Sequence, residues 1–408
     1  MDTGRKRLGC VGAEVSMQRL SIIALLLVLG ACASAPVSRV APDLFRDQWF
    51  APADEPIDGD AVFALSAPMR SYLAFDIAPQ LHAEGPQLGL INALQTGGKL
   101  NIEYDSAFTR NAAEAFDART GNCLSLVILT AALAGQVGLD VQFQEVLGDH
   151  VMSRNGDLVF YNGHVNVVLR EKLAEKGVKS SANPATVIDF LASRDRRGQQ
   201  VRSVSRQTVT AMYMNNRAAE SMASGKVDNA YWWARAAIKR EPRYTATYNT
   251  LGLVYRRSGH LQQAAVALEH ALALEPANTV AMSNAIPVLR ALGREGEAER
   301  WSVRLRELQP YPPFHFFDQG RVAMERGDFA RASQLFAREI ERAAYYHEFH
   351  YWLALAYVGL HEPERARDHF KIARDNATTR ADAVRYQEAM NSQDRIVRKR
   401  REFVGAAR

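Results

Sequence analysis

Residues 245–278 read TATYNTLGLVYRRSGHLQQAAVALEHALALEPAN. Apolar and small residues recur here at helical spacing on either side of Ser258-Gly259, and Pro276 stands where a second helix must stop, because proline cannot donate the backbone bond. The same spacing runs outward without insertion, in units of 34 residues starting at 211, 245, 279, 313 and 347. The eighth position holds Ala218, Gly252, Ile286, Gly320 and Ala354, and the twentieth holds Ala230, Ala264, Ala298, Ala332 and Ala366. The fifteenth holds Gly225, Gly259, Gly293 and Gly327, with His361 in the last unit. Pro242, Pro276 and Pro310 fill the thirty-second, followed by Ala344 and Thr378. Small residues at positions eight and twenty let two antiparallel helices approach closely, and glycine at fifteen closes the turn between them.

This pattern resembles the tetratricopeptide repeat (TPR), and it predicts an all-α solenoid of five repeats over 211–380. Residues 381–403 read as the polar capping helix such arrays need. Pro287 falls inside the first helix of the third repeat and predicts a kink or a locally irregular helix. The resemblance implies a concave face, built from the first helices, that binds a peptide or protein. Asn215, Asn249, Arg256, Arg257, Arg290 and Arg321 stand at positions that point there. Their amides suit an extended backbone, and their guanidinium groups suit carboxylates. Tyr231-Trp232-Trp233 reads as packing between repeats, and the two histidines of His347-Glu348-Phe349-His350 look metal-like but lack a further ligand set.

Upstream, Thr120-Gly-Asn-Cys123-Leu-Ser-Leu-Val-Ile-Leu129 carries the chemistry. Asn122 is a good N-cap, the apolar run to Val137 predicts a buried helix, and Gly138 ends it. Cys123 then lies in the first helical turn, where the positive end of the helix dipole lowers a thiol pKa. Three strands follow by pattern: Val141–Val146, Leu158–Leu169 with His164 inside it, and Thr186–Phe190 with Asp189 inside it.

Cysteine at a helix start, then histidine and aspartate on successive strands, resembles the bacterial transglutaminase-like superfamily over about residues 100–190. Some members of that superfamily also carry tetratricopeptide repeats after the core. The resemblance implies an α+β papain/transglutaminase-like domain, here 61–205, with Cys123, His164 and Asp189 as a catalytic triad acting on amide bonds. Cys123 is the nucleophile, His164 the base and acid, and Asp189 the group that orients the imidazole. Backbone N–H groups at the helix start, with Asn122, are the candidate oxyanion donors. Hydrolysis makes the protein a cysteine peptidase or amidase, and attack by an amine makes it a transamidase. No cofactor and no metal is called for. The sequence departs from the family after the histidine, where Asn166 stands in place of an aromatic. His82 and His150 are weaker candidates for the base. The rival reading keeps the fold without the chemistry, as an inactive TPR adaptor or scaffold that organises envelope proteins.

The chain opens with a short apolar run from Ile22 to Leu29, too short to span a bilayer and fitting a signal peptide. Leu29-Gly30-Ala31-Cys32 resembles the bacterial lipobox, which implies lipidation at Cys32 and removal of residues 1–31. Met17 is an alternative start, and cleavage near Ala33 or Ala35 is the alternative processing. Ala33 after the cysteine implies the outer membrane, with the protein facing the periplasm. Residues 33–60, rich in Ala, Pro, Ser and Asp, read as a tether. The 408 residues suit two or three domains, and three cysteines, Cys10, Cys32 and Cys123, exclude a disulfide framework. A net charge of +5 with no nucleic-acid-binding motif argues against DNA or RNA partners.

Overall fold

The computed structural model describes residues 43–94, 100–106, 108–155, 158–171, 185–190 and 200–406. The apolar leader, Cys10, Cys32 and the tether up to residue 42 lie outside the described residues.

The first part of the described chain mixes helices and strands. Three short helices, α1 (Ala67–Ser71), α2 (Ala78–Glu84) and α3 (Pro86–Leu94), precede strand β1 (Glu103–Tyr104), helix α4 (Ala112–Ala118), strand β2 (Thr120–Gly121) and helix α5 (Cys123–Gln136). Strands β3 (Leu139–Asn155), β4 (Leu158–Glu171), β5 (Thr186–Ile188) and β6 (Val201–Val204) follow. They form an antiparallel sheet in the order β5-β4-β3-β6, while β1 and β2 form a separate parallel pair. Helix α5 packs against β3, β4, α3 and α4, and every residue from Cys123 to Ala134 is buried. The apolar run has no solvent face because the helix is enclosed on all sides, which is what an all-round hydrophobic helix requires. Asn122 starts it by accepting the Ser125 N–H at 2.9 Å, and Gly138 leaves it at φ +83°. The pair β1–β2 and strand β6 are too short and too mixed to announce themselves by alternation.

The repeats occupy α6 (Arg206–Ala223), α7 (Val227–Arg240), α8 (Thr245–Arg257), α9 (Leu261–Leu274), α10 (Thr279–Ala291), α11 (Glu295–Leu308), α12 (His315–Glu325), α13 (Phe329–Arg342), α14 (His347–Gly359) and α15 (Pro363–Asp375). A last helix, α16 (Arg380–Ala406), packs against α15. Ala230, Ala264, Ala298, Ala332 and Ala366 are each fully buried at the helix crossings. Gly225, Gly259, Gly293 and Gly327 turn at φ +72° to +79°, and His361 makes the same turn at φ +59° without glycine's freedom. Helix α10 runs unbroken through Pro287, contrary to the irregularity expected there. Pro287 deprives the Ser283 carbonyl of its helical donor, but both residues are exposed, so water reaches that position.

Residues 43–60 are not a tether but a strap bound to the first two repeats. Phe50 stacks on Tyr231 with ring centroids 3.9 Å apart, and the Tyr231 hydroxyl donates to Asp47 at 2.6 Å. The indoles of Trp232 and Trp233 donate to the Ala51 carbonyl and to Glu55, each at 2.7 Å. Arg235 pairs with Asp47 and Arg217 with Glu55, both at 2.7 Å, and the Tyr255 hydroxyl donates to the Leu44 carbonyl at 2.7 Å. The aromatic run read as inter-repeat packing therefore presents its polar atoms to the strap, where a buried Tyr or Trp finds the partner it needs.

Candidate active site

Cys123 is the first residue of α5 and is 7% exposed. The turn that sets it is tightly braced. Ser125 donates to Asn122 Oδ1 from both its N–H and its hydroxyl, each at 2.9 Å, and Asn122 Nδ2 donates to Thr109 Oγ1 at 2.8 Å. Gly121 is required just ahead, because a Cβ there would lie 2.7 Å from Ser125 Cβ. Asn122 is thus first a cap and a brace. The N–H groups of Cys123 and Leu124 have no acceptor within the helix and are the backbone donors at this terminus.

His164 stands on β4, and Asp189 immediately follows β5, the strand paired with β4 through Val167 and Ile188. His164 Nε2 is 3.0 Å from Asp189 Oδ2, with the imidazole fully buried. Beside His164 the register of the hairpin slips: Val146 pairs with His164 and His150 with Gly163, leaving 147–149 unmatched. Such a bulge re-aims the side chains next to it. His150 lies in β3, and its side chain is outside the described set. His82 belongs to α2.

The electrostatics link the three side chains. Burial works to neutralise His164, but hydrogen bonds and charge from Asp189 and Cys123 outweigh it and raise its pKa to about 9. The imidazole therefore carries a proton at neutral pH. Its Nδ1 is buried without a hydrogen bond of normal geometry, which leaves it for the thiol. Asn166 lies two residues on, on the same strand face, with its Oδ1 buried and unpartnered. The free thiol among the described residues is Cys123.

The structure distributes the expected ligand residues of the array unevenly. Asn215 is only 7% exposed, on α6, the repeat helix that packs against α5 and β3, so it is not an open contact point. Asn249 accepts from Asn284 Nδ2 at 2.8 Å, and Arg321 lies over the Trp352 ring at 4.5 Å. Arg290 sits 3.9 Å from Glu295, while Arg256 and Arg257 are exposed. His347 bonds Tyr386 and Thr378, and His350 bonds His369 and the Ala344 carbonyl. Among the described residues no His/Cys/Asp/Glu cluster has the form of a metal site. Also among them, no helix is long and apolar enough to cross a membrane. The sequence reading missed Thr109, which reaches the Cys123 turn, and Asn216 and Glu220, which reach Thr109. The spacing Asn122-x-x-Ser125 hinted at the cap but not at its partners.

Residues 245–278 match the tetratricopeptide repeat family. No curated protein matches the chain significantly. Among solved structures the chain is similar to MamA, at 19% identity over 39% of this chain and 93% of that one, TM-score 0.23. It is similar to YrrB, titled a TPR protein with an unusual peptide-binding site, at 20% identity, covering 44% and 92%, TM-score 0.24. A thermophilic TPR protein of Thermus thermophilus aligns at 17% identity over 44% and 98%, TM-score 0.27. The chain carries tetratricopeptide repeats, a module for contacts between proteins.

Proposed function

We propose that the protein is a lipid-anchored envelope cysteine hydrolase or transamidase of the transglutaminase-like type, whose repeats recruit a protein or peptide substrate. The observation that carries this reading is the buried His164–Asp189 pair at 3.0 Å, with Cys123 acting on the same imidazole from a helix N-terminus. In this reading the proton of Cys123 passes to His164 before attack. The thiolate attacks an amide carbonyl, and helix-start N–H groups receive the oxyanion. The intermediate collapses as His164 gives its proton to the leaving amine, which leaves a thioester. Water, deprotonated by His164, releases the acid, and a substrate amine in its place yields a new amide. Asp189 keeps the ring oriented throughout. Leu29-Gly30-Ala31-Cys32 supports the anchor, and Ala33 after it supports the outer-membrane, periplasmic location. The burial of Cys123 favours the competing reading, an inactive TPR adaptor.

The deciding experiment is the pH profile of Cys123 alkylation by iodoacetamide. The wild-type thiol reacts well below pH 7. His164→Ala moves the profile upward, and Asp189→Asn moves it less, in the same direction. A thiol unreactive at every pH short of unfolding overturns the enzyme reading in favour of the adaptor.

A further inference from the structure

The tenth position of the repeat is apolar in four units, as Val254, Val288, Val322 and Ala356, and is Glu220 in the first. A carboxylate in place of valine on a packed repeat helix opposes the physics of the repeat, since burial disfavours its charged form. Glu220 is buried enough that its pKa rises to about 7, against the pull of Thr109, Arg217 and Arg110. Its side chain reaches out of the array. Its Oε1 accepts the backbone N–H of Thr109 at 2.8 Å. One turn earlier on the same face of α6, Asn216 Nδ2 donates to Thr109 Oγ1 at 3.2 Å. That hydroxyl also accepts from Asn122, the residue that caps the Cys123 turn, and the next residue, Arg110, donates its N–H to Ser125 Oγ at 2.8 Å. The chain of contacts runs from Glu220 and Asn216 through Thr109 to Asn122 and so to the nucleophile. Thr109 is itself buried.

We propose that Glu220 and Asn216 are positioning residues for Cys123, so that the first repeat helix is a component of the cysteine site. The inference rests on the enzyme reading above. Without these two side chains the Thr109 loop loosens, the Asn122 cap loses its brace, and the Cys123 sulfur no longer holds its place against His164. The repeat array is therefore joined to the nucleophile through polar contacts that the repeat fold itself does not need.

The test uses the full-length chain and follows alkylation at the Cys123 peptide by mass spectrometry, across pH, with thermal melts in parallel. Glu220→Ala is expected to slow alkylation at pH 6 about tenfold, through loss of the sulfur's placement beside His164. Glu220→Gln keeps the acceptor for Thr109 and is expected to restore the wild-type profile. Asn216→Ala, which breaks the second arm and leaves Glu220 in place, is expected to shift the profile less and in the same direction. Val254→Ala removes buried volume at the equivalent place in the second repeat and is expected to lower the melting temperature without moving the profile. Wild-type profiles in folded Glu220→Ala and Asn216→Ala, or an equal shift in Val254→Ala, overturn the inference and leave the enzyme reading standing. If Glu220→Ala does not fold, Asn216→Ala decides by the same criterion. A wild-type thiol that is itself unreactive at every pH short of unfolding removes both.

Discussion

The backbone N–H of Ser106, just after β1, donates to the carbonyl of Thr378, in the turn before α16, at 2.9 Å. These residues are 272 apart in sequence. The same loop reaches the first repeat helix through Thr109. The loop thus touches both ends of the array, and the repeats are not coupled only to their neighbours as in an open solenoid. Ser106→Pro removes this donor, and its net effect is expected to be about 1 kcal/mol. Amide hydrogen exchange should show faster opening of α16 than in the parent. Unchanged protection in α16 would mean the contact carries no stability.

Acid should weaken the last repeat. Burial lowers the pKa of His347 to about 4, Asp382 opposing and Arg385 adding to the effect. Burial, together with His350 and Arg365, lowers His369 to about 4 as well. Both rings are neutral when folded and titrate near 6.5 when unfolded, so the unfolded chain takes up more protons in acid. The stability is present above pH 6.5 and is lost as pH falls towards 4. The loss is expected to reach at least about 2 kcal/mol for the pair. Denaturant melts at pH 7 and pH 4.5 measure it, and His369→Gln should flatten the difference.

Close helix crossings should resist added volume. A Cβ at Gly252 would stand 2.6 Å from Leu268 Cγ, with Ala264 fully buried alongside. Gly252→Val and Ala264→Trp are each expected to destabilise by about 1–3 kcal/mol or more. Gly135, in α5, has open space where its Cβ would go. Gly135→Ala is expected to stabilise by roughly 0.5–1 kcal/mol. Thermal melts should place the first two variants below the parent and the third above it.

The mature N-terminus should be Cys32 bearing lipid. Mass spectrometry of protein purified from membranes checks this, and an unmodified start at Ala33 or Ala35 would replace the lipoprotein reading with an ordinary secreted one.

The repeats were legible because their information is local and written repeatedly: helical period, a small residue at each crossing and a glycine at each turn. The Cys123 helix was legible for the same reason, through a cap, an apolar run and Gly138. The order of Cys123, His164 and Asp189 suggested a site, but their approach depends on β5 pairing with β4 and on the slipped register beside His164. Residues 43–60 have no periodicity, so nothing local distinguishes a bound strap from a tether. Only the partners Tyr231, Trp232, Trp233 and Arg235, about 180 residues on, decide it. Asn215 read as an open contact point, and Glu220 gave no signal, because burial depends on what packs against a helix. Helix α6 meets α5 and β3 as well as its own repeat partners, and that meeting exists only in the tertiary structure.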